Sequence, residues 1–210
     1  YAVINASGET AGGDGLIPER YIPTLQGFFV SYNNNASFTS SSGNVAHTSI
    51  VFTNAMRLCN QNDQFFRTSS EEDKNKLWLN LTSDNGVFNQ ILVSYLEGAT
   101  DLDDGMSFDA PKNTATEAAA ILYSTTANTS KKYVIQGKAL ESMNEDEIIS
   151  IGYKTSIDVP TVYTLSIEKF EGDFLNNNPI YIKDKMLNEL HNLKERFYNF
   201  TSETGEFNER

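Results

Sequence analysis

Cysteine is nearly absent. Cys59 is the only one in 210 residues, which excludes an intrachain disulfide and any zinc site built on cysteines. Histidine is almost as scarce, with only His47 and His191. Neither lies near a G-x-S-x-G or H-E-x-x-H sequence, so nothing indicates a Ser–His–acid triad or a zinc-protease helix. Basic residues are outnumbered, 16 against 28 acidic ones, for a formal charge of −12. Binding to a phosphate backbone needs clustered Lys and Arg; with no basic stripe, a nucleic-acid partner is not expected. The same balance disfavours anionic membrane surfaces. No run approaches the ~18 apolar residues of a membrane-crossing helix, so direct membrane insertion is not expected either. The opening "YAVINASGE" has neither a basic n-region nor an apolar h-region, so it does not read as a signal peptide. Tyr1 is therefore expected to lie inside a longer precursor.

What is present is material for a β core. Hydrophobic residues make up 39%, with 13 Phe and 10 Tyr, which argues against wholesale disorder. Short runs rich in Val, Ile, Phe and Tyr alternate with Asn/Ser/Thr/Gly clusters. "QGFFVSY" and "HTSIVFTNAMRL" come first, then the charged "FFRTSSEEDKNK". In "LWLNLTS", Leu77, Leu79 and Leu81 alternate with Trp78, Asn80 and Thr82, one set per face of a strand. "NQILVSYLEG" is apolar on both faces and predicts a central strand. Helix propensity is confined to Thr116–Ala120, where a buried strand lead-in fits equally. "KKYVIQGKAL", "IISIGYKTS", "TVYTLSIEKF", "PIYIKDK" and "RFYNFTS" follow as strands, and "EFNER" reads as a further strand in a hairpin with "RFYNFTS". The spacing predicts an all-β, antiparallel protein of two β-sandwich modules. Residues 1–128 are expected to form the upstream one, truncated at its N-terminus, and 129–210 an immunoglobulin-like one.

Candidate chemistry is sparse. "EGATDLDDGMSFDA" offers Asp101, Asp103, Asp104 and Asp109 as hard oxygen ligands for calcium, but the spacing departs from an EF-hand. The other reading is a solvated turn using Asp and Gly for loop geometry. Trp78, Tyr32, Tyr95 and Tyr123 could stack on sugars, although each alternates as a core residue would. A carbohydrate-binding or adhesive module is the alternative function. No carboxylate pair stands out for glycoside hydrolysis. No cofactor and no enzyme activity are expected.

The order of the motifs carries more. "YIPTLQGFFV", "LWLNLT", "FNQILVSYLEGATD", "DDGMSFDA", "YVIQGKAL", "IGYKTSI", "YTLSIEKFEG", "IYIKDK" and "LHNLKERFYNFTSETGEFNER" occur in sequence. The series resembles the C-terminal region of proteins exported by the bacterial type IX secretion system, with the type C sorting signal found at the end of secreted chitinases. The resemblance implies an immunoglobulin-like address label that leads a cargo from the periplasm to an outer-membrane translocon. A shuttle barrel protein captures it, and a cell-surface peptidase commonly removes it. The destination would be the exterior or the cell surface of a Gram-negative bacterium. The matching positions are Gly172, Asp184, Lys185, Leu193, Lys194, Tyr198, Phe200, Gly205, Phe207 and Arg210. Gly172 and Gly205 are expected in turns, Tyr198, Phe200 and Phe207 in the sandwich, and Asp184, Lys185 and Arg210 on a recognition surface. Family members continue past the Arg with a short apolar strand. Its absence here leads to the expectation of an open edge beside "RFYNFTS", filled by later residues or by a strand from another chain.

Overall fold

The computed structural model describes residues 2–17, 40–42, 45–47, 51–53, 56, 75–114, 118–127 and 129–208. The expected strand "QGFFVSY", most of "HTSIVFTNAMRL" and most of the charged stretch after it lie outside these residues. The chain divides into two compact units, Phe28–Glu72 and Tyr1–Gly27 with Asp73–Arg210. In the larger unit, β1 (Val3–Ile4) and β2 (Glu9–Thr10) form a small antiparallel ladder. In the smaller unit, β3 (Ser40–Ser42) and β4 (Val45–His47) pair as a hairpin.

The rest of the larger unit is all-β and centred on one sheet. Its strands are β5 (Asn75–Ser83), β6 (Phe88–Leu96), β7 (Ala110–Pro111), β8 (Ala120–Thr125), β9 (Lys132–Ala139), β10 (Ser150–Thr155) and β11 (Thr161–Glu171). After a short helix α1 (Asp173–Asn177), a separate hairpin is made by β12 (Tyr181–Asp184) and β13 (Glu189–Asn192). Then β14 (Tyr198–Ser202) and β15 (Gly205–Phe207) rejoin the sheet. The strand order is β14-β11-β5-β6-β9-β8-β10-β15, with β7 beside β9, nine strands in all. Every pair is antiparallel except β6 with β9, which is parallel; the wholly antiparallel expectation is corrected there.

Alternation explains the faces. Leu77, Leu79 and Leu81 of β5 point into one core with Tyr163 and Leu165 of β11. Trp78, from the opposite face of β5, packs with Leu92, Val134 and Ile135. Strand β6 is central, and Ile91, Leu92 and Val93 are wholly buried, so both of its faces are covered. The N-terminal segment covers the Trp78 face: the indole N–H donates to the Glu9 carbonyl at 2.8 Å, and Ala11 N–H donates to Gln90 Oε1 at 2.8 Å.

Two residues force the sheet to curl. Strands β14 and β15 stand at opposite ends of the strand order, yet only Glu203 and Thr204 separate them. Seven inter-strand spacings in a flat sheet would set the ends about 34 Å apart. Three residue steps reach at most about 11 Å. The ends therefore meet. Tyr153 of β10 lies 5.1 Å from the ring of Phe200 in β14, stacks at 4.9 Å on Phe207 of β15, and donates its hydroxyl to Ser202 Oγ at 2.8 Å. The expected β14–β15 hairpin is thus absent. Strand β14 pairs with β11 and β15 pairs with β10, because the chain crosses from one end of the sheet to the other. At Gly152 a Cβ would come 2.6 Å from the Tyr123 ring and 2.8 Å from the Phe207 carbonyl, so a side chain there would push this closure apart.

The main sheet continues across 128/129, since β6 bonds to β9 and β5 bonds to β11. Of the suggested helix over Thr116–Ala120, residues 116–117 lie outside the described residues, and Ala120 opens β8 as the strand lead-in reading has it. "GDFLNNN" supplies a short helix, and "ELHN" a strand where only a connection was expected.

The closure is open to a double-mutant cycle. Tyr153→Phe and Ser202→Ala should each lower stability, with a coupling of roughly 0.5–1.5 kcal/mol from the buried hydrogen bond between the sheet ends. Urea unfolding of the two single variants and the double variant reads it directly.

Candidate functional site

Most residues singled out by the C-terminal motif fall in the segment that runs from α1 to β15. Gly172 starts α1 with φ 104°, and a Cβ there would lie 2.1 Å from Asn75 Oδ1, so only glycine fits. Asp184, expected on the surface, is buried instead. Its Oδ2 accepts the Tyr198 hydroxyl at 2.9 Å and its Oδ1 accepts the Leu187 N–H at 2.9 Å. Leu193, Tyr198 and Phe200 are core residues. Lys194 bends back over the Phe170 ring, and its ammonium donates to the carbonyls of Leu175, Asn176 and Asn178 at 2.8, 2.7 and 2.9 Å. It thereby caps the end of α1, whose last carbonyls lack partners within the helix. Gly205 (φ 153°) lets the chain turn into β15, and half-buried Phe207 stacks on Tyr153. Lys185 is exposed in the turn after β12. Arg210 lies outside the described residues.

A cavity of about 40 Å3 opens beside β14, lined by Leu81, Leu122, Tyr153, Ile182, Asp184 and Phe200. It has room for a water or two. His191 sits beside it, with Nε2 2.7 Å from the Arg196 carbonyl and its ring 5.5 Å from Tyr198. His47 lies on β4, in the other unit.

The four aspartates do not converge on one point. Asp104 accepts the N–H and hydroxyl of Thr100 at 2.5 and 2.7 Å. Asp103 pairs with Lys131, and Asp101 with Ser142 and with Lys138 at 3.0 Å. Asp109 is fully buried and accepts the backbone N–H groups of Asp104 and Gly137 at 2.6 and 3.0 Å. These carboxylates staple the loop to β9 and to the segment after it. Among the described residues no group of three or more His, Cys, Asp or Glu is placed to hold a metal. Burial pushes Asp109 up to about 6, with the Asp104 and Asp103 charges adding to it and the two backbone donors opposing it. The Lys131 hydrogen bond holds Asp103 below the usual range. Burial raises Asp101, but hydrogen bonds from Ser142 and Lys138 outweigh it and leave this group below its ordinary value.

The candidate sugar-stacking rings are internal. Trp78, Tyr95 and Tyr123 are buried, and Lys169 Nζ lies 4.0 Å over the Trp78 ring; Tyr32 is outside the described residues. Sequence reading missed Lys112, whose Nζ meets Asn89 Oδ1 at 2.5 Å and which burial lowers to about 8. It stands alone between turn-forming residues, and nothing in the local pattern marks it as half-buried.

Fold and site together define an all-β module whose chemistry-bearing side chains are engaged in holding its own loops. A family model described as a domain of unknown function (DUF8693) matches residues 1–210, so the chain belongs to that family. Neither the curated proteins nor the solved structures contain a match.

Two variants check these roles. Lys194→Met keeps the packing over Phe170 and removes three donor contacts; a loss of about 1.5–3 kcal/mol in unfolding free energy is expected. Asp109 binds its proton more tightly in the fold than its unfolded value of about 3.9 allows. Its contribution is complete below that value and is lost as pH rises through about 6. Unfolding titrations of wild type and Asp109→Asn at a series of pH values should show the wild type losing stability more steeply between about pH 4 and 6.

Proposed function

We propose that this chain is a non-enzymatic targeting module: the C-terminal sorting region of a cargo exported through the type IX secretion translocon. The observation that carries the reading is the ordered motif series ending in "TGEFNER". Its support in three dimensions is that Gly172, Asp184, Leu193, Lys194, Tyr198, Phe200, Gly205 and Phe207 lie along the segment from α1 to β15 and hold its packing, hydrogen bonds and turns. Seven of these eight hold the fold rather than face outward as recognition groups, and Gly205 sets the entry to β15. The signal on this reading is a shape held in place by the motif, read by the shuttle barrel protein and the translocon.

Strands β14 and β15 end the strand order among the described residues. The finer architecture tied to this reading is an immunoglobulin-like module over 129–210 beside an upstream sandwich over 1–128. It has to be drawn within a shared sheet, because β5 runs hydrogen-bonded against β11. A carbohydrate-binding or adhesive role has less support, since Trp78, Tyr95 and Tyr123 offer no exposed ring face.

The region from Tyr1 to the end of the native protein, fused behind a periplasm-directed fluorescent reporter, should carry that reporter to the cell surface or medium of a bacterium with the secretion system. Retention in the periplasm would sink the proposal.

A further inference from the structure

Lys138 is buried on β9, only 8% exposed, and its register partner on β6 is the buried Tyr95. Two carboxylates converge on its ammonium. Asp101 Oδ1, from the loop after β6, lies 3.0 Å from Nζ. Glu147 Oε1, from the connection between β9 and β10, lies 3.0 Å from the same atom. The other oxygen of Asp101 accepts the Ser142 hydroxyl, so this carboxyl group is oriented from both sides. Glu147 Oε1 is sealed from solvent and makes no hydrogen bond of good geometry. Burial, and then the charges of Glu147 and Asp101, hold the Tyr95 hydroxyl well above its ordinary value, so it stays neutral beside them. Each of the other described ion pairs joins one lysine to one carboxylate.

One cation against two anions is a costly arrangement away from water. Desolvation of each ion is offset only by close partners, and a single ammonium cannot fully neutralise two carboxylates. An amide between Lys138 and Asp101 would remove the cation and one anion together, leaving Glu147 to accept the new N–H. Condensation of an amine with a carboxylic acid is unfavourable in water. A fold that holds the two groups together acts as an effective concentration of up to about 10⁵–10⁸ M.

We propose that Lys138 and Asp101 join in an intramolecular isopeptide bond, with Glu147 as the proton relay. Glu147 takes a proton from the Lys138 ammonium and passes it to Asp101, which frees the amine and makes the carboxyl an electrophile. Burial raises Asp101, but the Ser142 and Lys138 hydrogen bonds outweigh it and favour its ionised form, so this protonation is the slow step. Nζ then attacks Asp101 Cγ. A second proton passes from the nitrogen through Glu147 to the departing hydroxyl. The Nζ–Cγ bond forms, a Cγ–O bond breaks, and one water leaves by the solvent-facing side of Asp101. Net charge is unchanged, and no oxidant or cofactor takes part. The bond ties the loop after β6 to β9 in a chain whose single cysteine excludes an intrachain disulfide. It is independent of the targeting reading.

Mass spectrometry of the intact chain, folded first and denatured only for the measurement, tests this. The wild-type mass should fall below that of the sequence by one water. A tryptic digest should contain residues 77–112 joined to residues 133–154 through Asp101 and Lys138. Lys138→Arg keeps the charge but has no nucleophilic amine, and it should show the full mass. Glu147→Gln, folded by circular dichroism, should show the full mass as well. Full mass in the wild type overturns the proposal. So does a one-water deficit that persists in Lys138→Arg, because Asp104 followed by Gly105 can lose the same mass as a cyclic imide without any lysine. A deficit at the wild-type level in Glu147→Gln overturns the relay.

Discussion

The structure depends on one geometric constraint, the two-residue link between strands that end opposite sides of the sheet. Glu203 and Thr204 cannot span an open sheet of this width. The sheet must roll until β10 and β14 share a core. The aromatic contacts at the seam follow, among them Tyr153 on Phe200, Phe207 and Tyr163, and Tyr163 on Phe200. The polar counterparts are Tyr153 to Ser202 and Thr155 to Tyr163 at 2.7 Å. These bonds satisfy hydroxyls that burial would otherwise leave unpaired, at a cost of about 1–3 kcal/mol each.

The segment between β11 and β14 is built around that closure. A buried carboxylate, a lysine spent on three carbonyls and a glycine with no room for a side chain turn an irregular stretch into a fixed one. Such interactions leave the side chains involved with little to offer a partner directly. What they hold in place is an exposed apolar hairpin tip. Asp184 lies inside the molecule while its Oδ1 shapes the outermost turn.

Strand by strand, much was legible. The alternation in "LWLNLTS" assigned Leu77, Leu79 and Leu81 to one face, as found. The two-sided apolarity of "NQILVSYLEG" marked β6 as central. The strand order was not legible. Nothing local distinguishes a β14–β15 hairpin from a crossing, because the same short turn "ETG" can serve either. Asp184 and Lys194 were equally opaque. A charged residue in a polar stretch reads as exposed until a hydroxyl or a set of carbonyls arrives from elsewhere in the chain. The aspartates of the 101–109 loop were visible as a cluster, but their orientation depends on Lys131, Lys138 and Gly137, which lie further along the chain.

The sequence by itself determined the β character, the inward and outward faces of the long strands, and the turn positions that require glycine. These follow from period-two alternation and backbone sterics, both of which act over a few residues. Only the tertiary structure decided that strands from both halves share one sheet, that its ends close on Tyr153, and which polar groups are buried. Those outcomes depend on pairings between residues far apart in the chain, where the free energy lies in the fit of whole faces rather than in any local pattern.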